Sequence, residues 1–331
     1  MASRTSLNPV HHDPTGQVSL YQTEDRYYKL LTEKFGPRFT DYRRLWEERS
    51  RRGPAGDFPL SLDLAVNSGC QLNCLMCPLP SRPDRRYRPL DSGLFDRLMA
   101  EARERRLPAL TLGLGSEPLL NPQTPAWVAQ AGRAGIMDIR LGTNGLALTE
   151  GISKALVDSG LTRLEISLDA ASPSSYRAIR GGSLEELTRR IEAFLEIRGR
   201  AGSPWPLLRL SFLKLPQNQG ELAAFLARWG DQADMISIQE PIWFPGSRLP
   251  RPESPGQALA PACAQPWQRL AVWPDGRVAP CCSWYGEDLL PFRASSGSLA
   301  AFWRSPEMEA LRAALSGPAE SFSPTCRRCE I

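Results

Sequence analysis

Leu62-Asp-Leu-Ala-Val-Asn67-Ser-Gly-Cys70-Gln-Leu-Asn-Cys74-Leu-Met-Cys77 is the stretch on which the reading of this chain turns. An apolar run of strand length leads directly into three thiols separated by three and then two residues. A loop of that spacing can wrap one corner of an iron–sulfur cubane and offer three thiolates, leaving one iron without a protein ligand. A zinc site is the alternative, and it needs a fourth ligand. Histidine does not supply one nearby, because the only two are His11 and His12 in the polar N-terminal tail.

Outward from this stretch the pattern repeats. Further strands are predicted over 109–113, 138–142, 163–168, 207–213 and 235–239, alternating with amphipathic helices. One of these, 185–198, carries Leu187, Ile191, Phe194 and Leu195 at helical spacing. Repeated βα units imply a parallel sheet. Six are too few for a closed eight-stranded barrel, so the expected fold is α/β, a partial (βα)6 TIM-like barrel over 58–240. Ligands should sit at the C-terminal ends of its strands. Residues 1–57 read as a polar tail, expected to be disordered, followed by one or two surface helices over 21–52 without evident chemistry. Residues 241–331 read as a small C-terminal α+β unit. It begins with a linker carrying Pro241, Pro245, Pro250, Pro252 and Pro255 and continues into a hairpin turning at Pro274-Asp275-Gly276. One helix over 299–315 and Cys326-Arg-Arg-Cys329 complete it. A unit that small and loop-rich is expected to be tied together by a bound metal.

Composition narrows the function. With 331 residues, 42% of them hydrophobic, the chain can bury a full core, which excludes disorder as its organising state. A net charge of +4 makes no case for a nucleic-acid partner. No apolar run reaches the ~18 residues of a membrane span and the N-terminus has no secretory core, so a cytoplasmic protein is expected. In a reducing compartment the eight cysteines read as metal or redox groups rather than as disulfides. With both histidines in the tail, serine-histidine triads, cysteine-histidine pairs and histidine-ligated zinc are disfavoured.

Four further motifs follow the Cys70, Cys74 and Cys77 loop in order: Gly115-Ser116-Glu117-Pro118, Thr143-Asn144-Gly145, Ser167-Leu168-Asp169, and Arg180 in Tyr176-Arg-Ala-Ile-Arg-Gly-Gly. Together they resemble the radical S-adenosylmethionine superfamily, with Ser116 standing where that family's motif has a second glycine. The resemblance implies that the open iron chelates the amino and carboxylate groups of S-adenosylmethionine. It implies that Glu117 accepts from the methionine ammonium, that Asn144, Ser167 and Asp169 meet the ribose and carboxylate, and that Arg180 pairs with the carboxylate. One-electron cleavage of the C–S bond then yields a 5′-deoxyadenosyl radical that removes hydrogen from a substrate carbon.

Cys263-Ala-Gln-Pro-Trp267, Pro280-Cys281-Cys282 and Cys326-Arg-Arg-Cys329 resemble the shortened SPASM, or Twitch, extension of such enzymes. This implies one auxiliary [4Fe-4S] cluster on Cys263, Cys281, Cys326 and Cys329, with Cys282 a packed thiol or, as in radical epimerases, a hydrogen-atom donor. The same thiols could instead build a zinc ribbon, and the chain would then be a zinc-binding interaction module. Resemblance to butirosin-type aminocyclitol dehydrogenases implies a radical oxidoreductase. Its substrate would be a small cyclitol- or aminoglycoside-type molecule whose secondary alcohol becomes a ketone, the auxiliary cluster taking the electron and a flavodoxin- or ferredoxin-type protein supplying the reductant. A radical epimerase or peptide maturase is the alternative. Oxidation needs a base, and the candidates are Lys214 and Arg209 on the fifth barrel strand and Glu240 after the sixth. Lysine is rare in this chain, and desolvation would lower the pKa of Lys214. Trp243, Phe244 and Arg248 are candidates for the substrate entrance.

Overall fold

The computed structural model describes residues 11–12, 18–21, 24–82, 87–250, 263–282, 292–327 and 329. Ten strands of these form one sheet: β1 (His11–His12), β2 (Val18–Tyr21), β3 (Ser61–Leu64), β4 (Ala109–Leu112), β5 (Asp138–Thr143), β6 (Arg163–Ser167), β7 (Leu207–Leu213), β8 (Met235–Gln239), β9 (Arg269–Val272) and β10 (Val278–Ala279). Strands β3 to β8 lie side by side and parallel, the six-stranded partial barrel that the sequence implies.

Alternation along the strands explains why the sheet curls around a polar interior. In β7, Leu208, Leu210 and Phe212 join the main apolar core outside the sheet, so Arg209 and Ser211 fall on the opposite, lumen face. Outside lie α3 (Ser92–Glu104), α4 (Thr124–Arg133), α5 (Glu150–Asp158), α6 (Pro173–Arg180), α7 (Leu184–Arg200) and α8 (Leu222–Trp229). Several start on a side-chain cap. Asp91, Thr149, Ser172 and Ser183 each accept a backbone N–H of the first turn, worth ~1 kcal/mol apiece.

Four features differ from the sequence reading. Of the N-terminal tail, residues 11–12 and 18–21 join the fold: β2 pairs antiparallel with β8, and His11 and His12 pair with β2. The helices α1 (Glu24–Phe35) and α2 (Pro37–Ser50) do more than cover a surface. Their Tyr27, Leu31, Phe39 and Tyr42 pack with Leu60, Ala109, Met137, Leu207 and Met235, closing the end of the barrel at which the strands begin. The C-terminal hairpin is continuous with the barrel, because β9 pairs in parallel with β3. The helix predicted over 299–315 is two, α10 (Leu299–Trp303) and α11 (Pro306–Ser316), the short α9 (Gln265–Gln268) preceding them and α12 (Pro324–Arg327) following. Pro306 cannot continue a helix, and Ser305 caps the new one by accepting the Met308 N–H. Residues 251–262, with Pro252 and Pro255 of the predicted linker, lie outside the described residues.

Candidate active site

The cysteine loop leaves β3 at the C-terminal end of the barrel and is held from several sides. Asn67 donates through Nδ2 to the Glu117 carbonyl (2.8 Å) and accepts the Gly69 N–H (2.7 Å). The Leu75 N–H donates to the Ile179 carbonyl at the end of α6 (2.8 Å). From the linker, the Arg248 N–H donates to the Leu75 carbonyl (3.0 Å) and its guanidinium to the Asn73 carbonyl. Of the three residues predicted near an entrance, Arg248 is thus a strap across the cysteine loop.

Each sulfur of the loop faces an N–H. Cys70 Sγ meets the Leu72 N–H (3.4 Å) and Asn144 Nδ2 (3.6 Å), Cys77 Sγ the Leu79 N–H (3.4 Å), and Cys74 Sγ the Arg180 Nη1 (3.7 Å). Donors turned toward sulfur favour thiolate over thiol. Burial works the other way, pushing Cys70 up to about 11 despite the Leu72 N–H, with the charges of Cys74 and Cys77 adding to the rise. Cys77 is raised by burial as well. Three desolvated thiols that repel one another when ionised, each provided with a donor, fit a cationic iron core that would hold them as thiolates. Among the described residues no group of three or more His, Cys, Asp or Glu side chains surrounds a single ion position.

The remaining motifs stand around this loop at the ends of β4 to β7. Gly113 has φ 118°, and a Cβ there would lie 2.4 Å from the Gly142 carbonyl oxygen, so only glycine lets β4 and β5 approach as they do. Gly115, at φ 61°, turns the chain back toward the site. Ser116 Oγ donates to the Leu114 carbonyl (3.4 Å), and Pro118 begins a 3₁₀ turn. Glu117, expected to meet an ammonium, is 2% exposed and turned inward. Its Oε1 accepts Thr143 Oγ1 (2.6 Å) and the Leu119 N–H (3.0 Å), and its Oε2 the Asn144 N–H (2.7 Å). The Asn144 side chain then donates to Cys70, so Glu117 is joined to the first sulfur through one residue.

Asp169, expected at the ribose and carboxylate of the cofactor, and Arg180, expected at its carboxylate, are bonded to each other. Arg180 Nε donates to Asp169 Oδ2 (2.8 Å) and Nη2 donates to the same oxygen. Asp169 is further pinned by the Leu213 N–H (2.9 Å) and Ser211 Oγ (3.4 Å), which hold this non-glycine residue at φ 62°. Ser167 is half-buried on the lumen face, level with Ser211 in the register. Lys214 is ion-paired to Glu240, and both side chains are 49% exposed. The desolvation expected of Lys214 is therefore not met, because the end of β7 opens to solvent.

Sequence reasoning missed most of the lumen. Below the site, the inner face carries Asp138, Arg140, Arg163, Glu165 and Arg209, with Asp63 and Arg269 on the other side. Asp138 accepts Tyr27 (2.5 Å) and Arg140 (3.2 Å), Glu165 meets Arg163 (2.7 Å) and Arg209 (3.4 Å), and Arg269 meets Asp63 (3.1 Å). Four arginines face three carboxylates. Glu165, 29% exposed, is the member most open to the mouth. Burial raises its pKa, but Arg163, Arg209 and Arg140 outweigh that and bring it to about 2. Asp138 is lowered in the same way, burial being overcome by Arg140 and Arg163. Carboxylates held below their ordinary range stabilise the fold above that range and cease to do so as pH falls through the depressed values. Stability should therefore drop between pH 4.5 and about 2, by on the order of 3 kcal/mol for Glu165. Urea midpoints measured down this range in wild type and Glu165→Gln check it, the variant losing much of the dependence.

The second set of thiols lies beyond the hairpin. Cys263 is raised to about 11, by burial first and then by the charges of Cys329 and Cys326, which places these three within electrostatic reach of one another. Cys326 is buried and its N–H donates to Ser323 Oγ (3.2 Å), while the Cys329 N–H donates to the Cys326 carbonyl (3.2 Å). Cys281 and Cys282 are half-buried against the main core. Arg269 in the lumen is lowered by burial but raised overall, first by Asp63 and then by Cys282. A cleft bordered by Asn67, Gly115, Arg82, Trp273 and Arg277 separates the cysteine loop from the hairpin turn.

Residues 64–203 match the model of the radical SAM superfamily, and residues 263–330 that of an iron-sulfur cluster-binding domain, SPASM. A probable GTP 3′,8-cyclase of Methanococcus maripaludis is 29% identical over 138 residues, 41% of this chain and 46% of that protein. The chain spans about half the length of the curated relatives it matches. Streptococcus suis SuiB bound to S-adenosylmethionine shares the fold with a TM-score of 0.62 at 16% identity, over 83% of this chain and 72% of that one. BtrN in complex with AdoMet and 2-DOIA does so with a TM-score of 0.56 at 15% identity, over 82% of this chain and 92% of that one.

Proposed function

For a chain that carries a radical SAM domain followed by an iron–sulfur cluster-binding SPASM domain, we propose oxidation of a secondary alcohol on a small, polar, cyclitol-like molecule to a ketone. Its cofactors are S-adenosylmethionine and [4Fe-4S] clusters. When bound, these supply a radical that removes hydrogen from carbon and, at the auxiliary site, an acceptor for the electron left behind.

The observation that carries the substrate class is the charged lumen. A floor of arginines and carboxylates offers donors and acceptors to hydroxyl and amino groups, and it would strand an apolar side chain among ions. Arg209 and Glu165 are the part of this floor that we assign to substrate binding, one donating and one accepting. Cys70, Cys74 and Cys77 would hold the S-adenosylmethionine cluster. Cys263, Cys281, Cys326 and Cys329 would hold one auxiliary cluster. In this reading Glu240, which follows β8 and is ion-paired with Lys214, takes the hydroxyl proton. The carbon would lose one hydrogen atom and the oxygen one proton, and a cluster on Cys263, Cys281, Cys326 and Cys329 would supply the acceptor for the remaining electron; a flavodoxin- or ferredoxin-type protein would supply the reductant for the cluster on Cys70, Cys74 and Cys77.

Anaerobic, reduced protein incubated with S-adenosylmethionine and a panel of aminocyclitols tests this. The expected product is two mass units lighter, with one 5′-deoxyadenosine per ketone. Solvent deuterium at carbon without loss of mass would make it an epimerase, and turnover only on a peptide would make it a maturase.

A further inference from the structure

Arg180 presents a second use besides any contact with the cofactor. Its Nε and Nη2 are committed to Asp169 Oδ2, and its Nη1 stands 3.7 Å from Cys74 Sγ. The side chain is 13% exposed and that of Asp169 1%. Asp169 is itself immobilised by the Leu213 N–H and by Asn218, whose Nδ2 donates to its carbonyl (2.7 Å). The end of α6 that carries Arg180 is bonded to the cysteine loop through the Ile179 carbonyl and the Leu75 N–H. The guanidinium is therefore a fixed group beside one sulfur, oriented by a buried carboxylate.

We propose that Arg180, positioned by Asp169, sets the reduction potential of the cluster held on Cys74, and so governs whether an external carrier can reduce it. The inference rests on the reading that Cys70, Cys74 and Cys77 hold that cluster. A cationic N–H donor drains electron density from a ligating thiolate and favours the reduced, more negative cluster. The neighbouring carboxylate offsets most of the charge, so Arg180 acts mainly through its aimed N–H and Asp169 limits how far the potential rises. The two residues should therefore act with opposite signs, which a merely structural pair would not do.

The test is a potentiometric titration of the reconstituted protein without S-adenosylmethionine, followed by electron paramagnetic resonance. Arg180→Leu/Asp169→Asn together remove the guanidinium donor and keep the site neutral. At the wild-type midpoint the ratio of reduced to oxidised cluster should fall about tenfold, equivalent to a 59 mV negative shift for one electron. Asp169→Asn alone leaves an uncompensated cation by the sulfur and should shift the midpoint positive. If the double variant does not retain iron, the sign of the Asp169→Asn shift decides, a rise supporting the proposal and no change or a fall overturning it. Unchanged midpoints in both variants, with differences only after S-adenosylmethionine is added, would make Arg180 a cofactor contact and overturn the proposal. Wild-type protein that binds no cluster through Cys70, Cys74 and Cys77 would overturn it through the reading beneath it, and iron analysis distinguishes that failure from the other.

Discussion

Replacing Cys70, Cys74 and Cys77 together by alanine should lower the iron content of anaerobically reconstituted protein from about eight to about four per chain, with sulfide falling in parallel. Formation of 5′-deoxyadenosine should cease entirely. The three sulfurs sit on one loop, each facing an N–H donor, and none is needed by the barrel core, whose large side chains lie in the strands and helices around them. The variant should therefore fold and keep its second cluster. If iron fell from about four to zero, there would be no auxiliary cluster. Zinc in place of iron in the wild type would transfer the chain to the binding-module reading. Alanine at Cys263, Cys326 and Cys329 gives the complementary result, since burial and mutual charge mark these thiols as a separate group.

Glu117 is the second residue at which a single change should have a large effect. Thr143, Leu119 and Asn144 all direct donors at its buried carboxylate, so Glu117→Ala leaves the Leu119 and Asn144 N–H groups without their partner. The expected loss of stability is about 3–5 kcal/mol, at the upper end for a point substitution. Asn144 is displaced with it, and Cys70 loses the Nδ2 donor. Glu117→Gln should cost less, because its Oε1 can still accept Thr143 Oγ1 and the Leu119 N–H and only its Nε2 is turned toward a donor, the Asn144 N–H. The loss should be visible in urea or thermal unfolding without S-adenosylmethionine. A residue that served only as an ammonium acceptor would leave unfolding unchanged and weaken cofactor binding alone. Thr143→Val removes the hydroxyl that donates to Glu117 and accepts the Gly145 N–H, and should cost about 1–2 kcal/mol.

How far these features were legible follows from how local they are. The strands over 207–213 and 235–239 are found as predicted, since apolar runs between helical stretches are a short-range signal. The cysteine loop and the motifs after β4, β5 and β6 are likewise written in consecutive residues. Lumen charges were not legible as a set. Asp63, Arg140 and Glu165 each occupy an alternate position in an apolar strand, which ordinarily reads as a solvent face; in a barrel that face is enclosed. Their pairing, and that of Arg180 with Asp169, depends on strand register. The joining of β9 to β3 and of β2 to β8 connects segments far apart in sequence, which no local pattern announces. Ser305-Pro306 is different: a cap followed by proline was present in the sequence and is enough to divide the helix there.

A cluster held by Cys70, Cys74 and Cys77 would leave its fourth iron open to S-adenosylmethionine, and the proposed function requires that opening. The most direct measurement is the electron paramagnetic resonance spectrum of reduced, auxiliary-cluster-deficient Cys263→Ala/Cys326→Ala/Cys329→Ala protein before and after addition of S-adenosylmethionine. Coordination through the methionine end should change the g-values and line shape of the remaining cluster. A spectrum identical with and without S-adenosylmethionine would contradict an open iron at this loop.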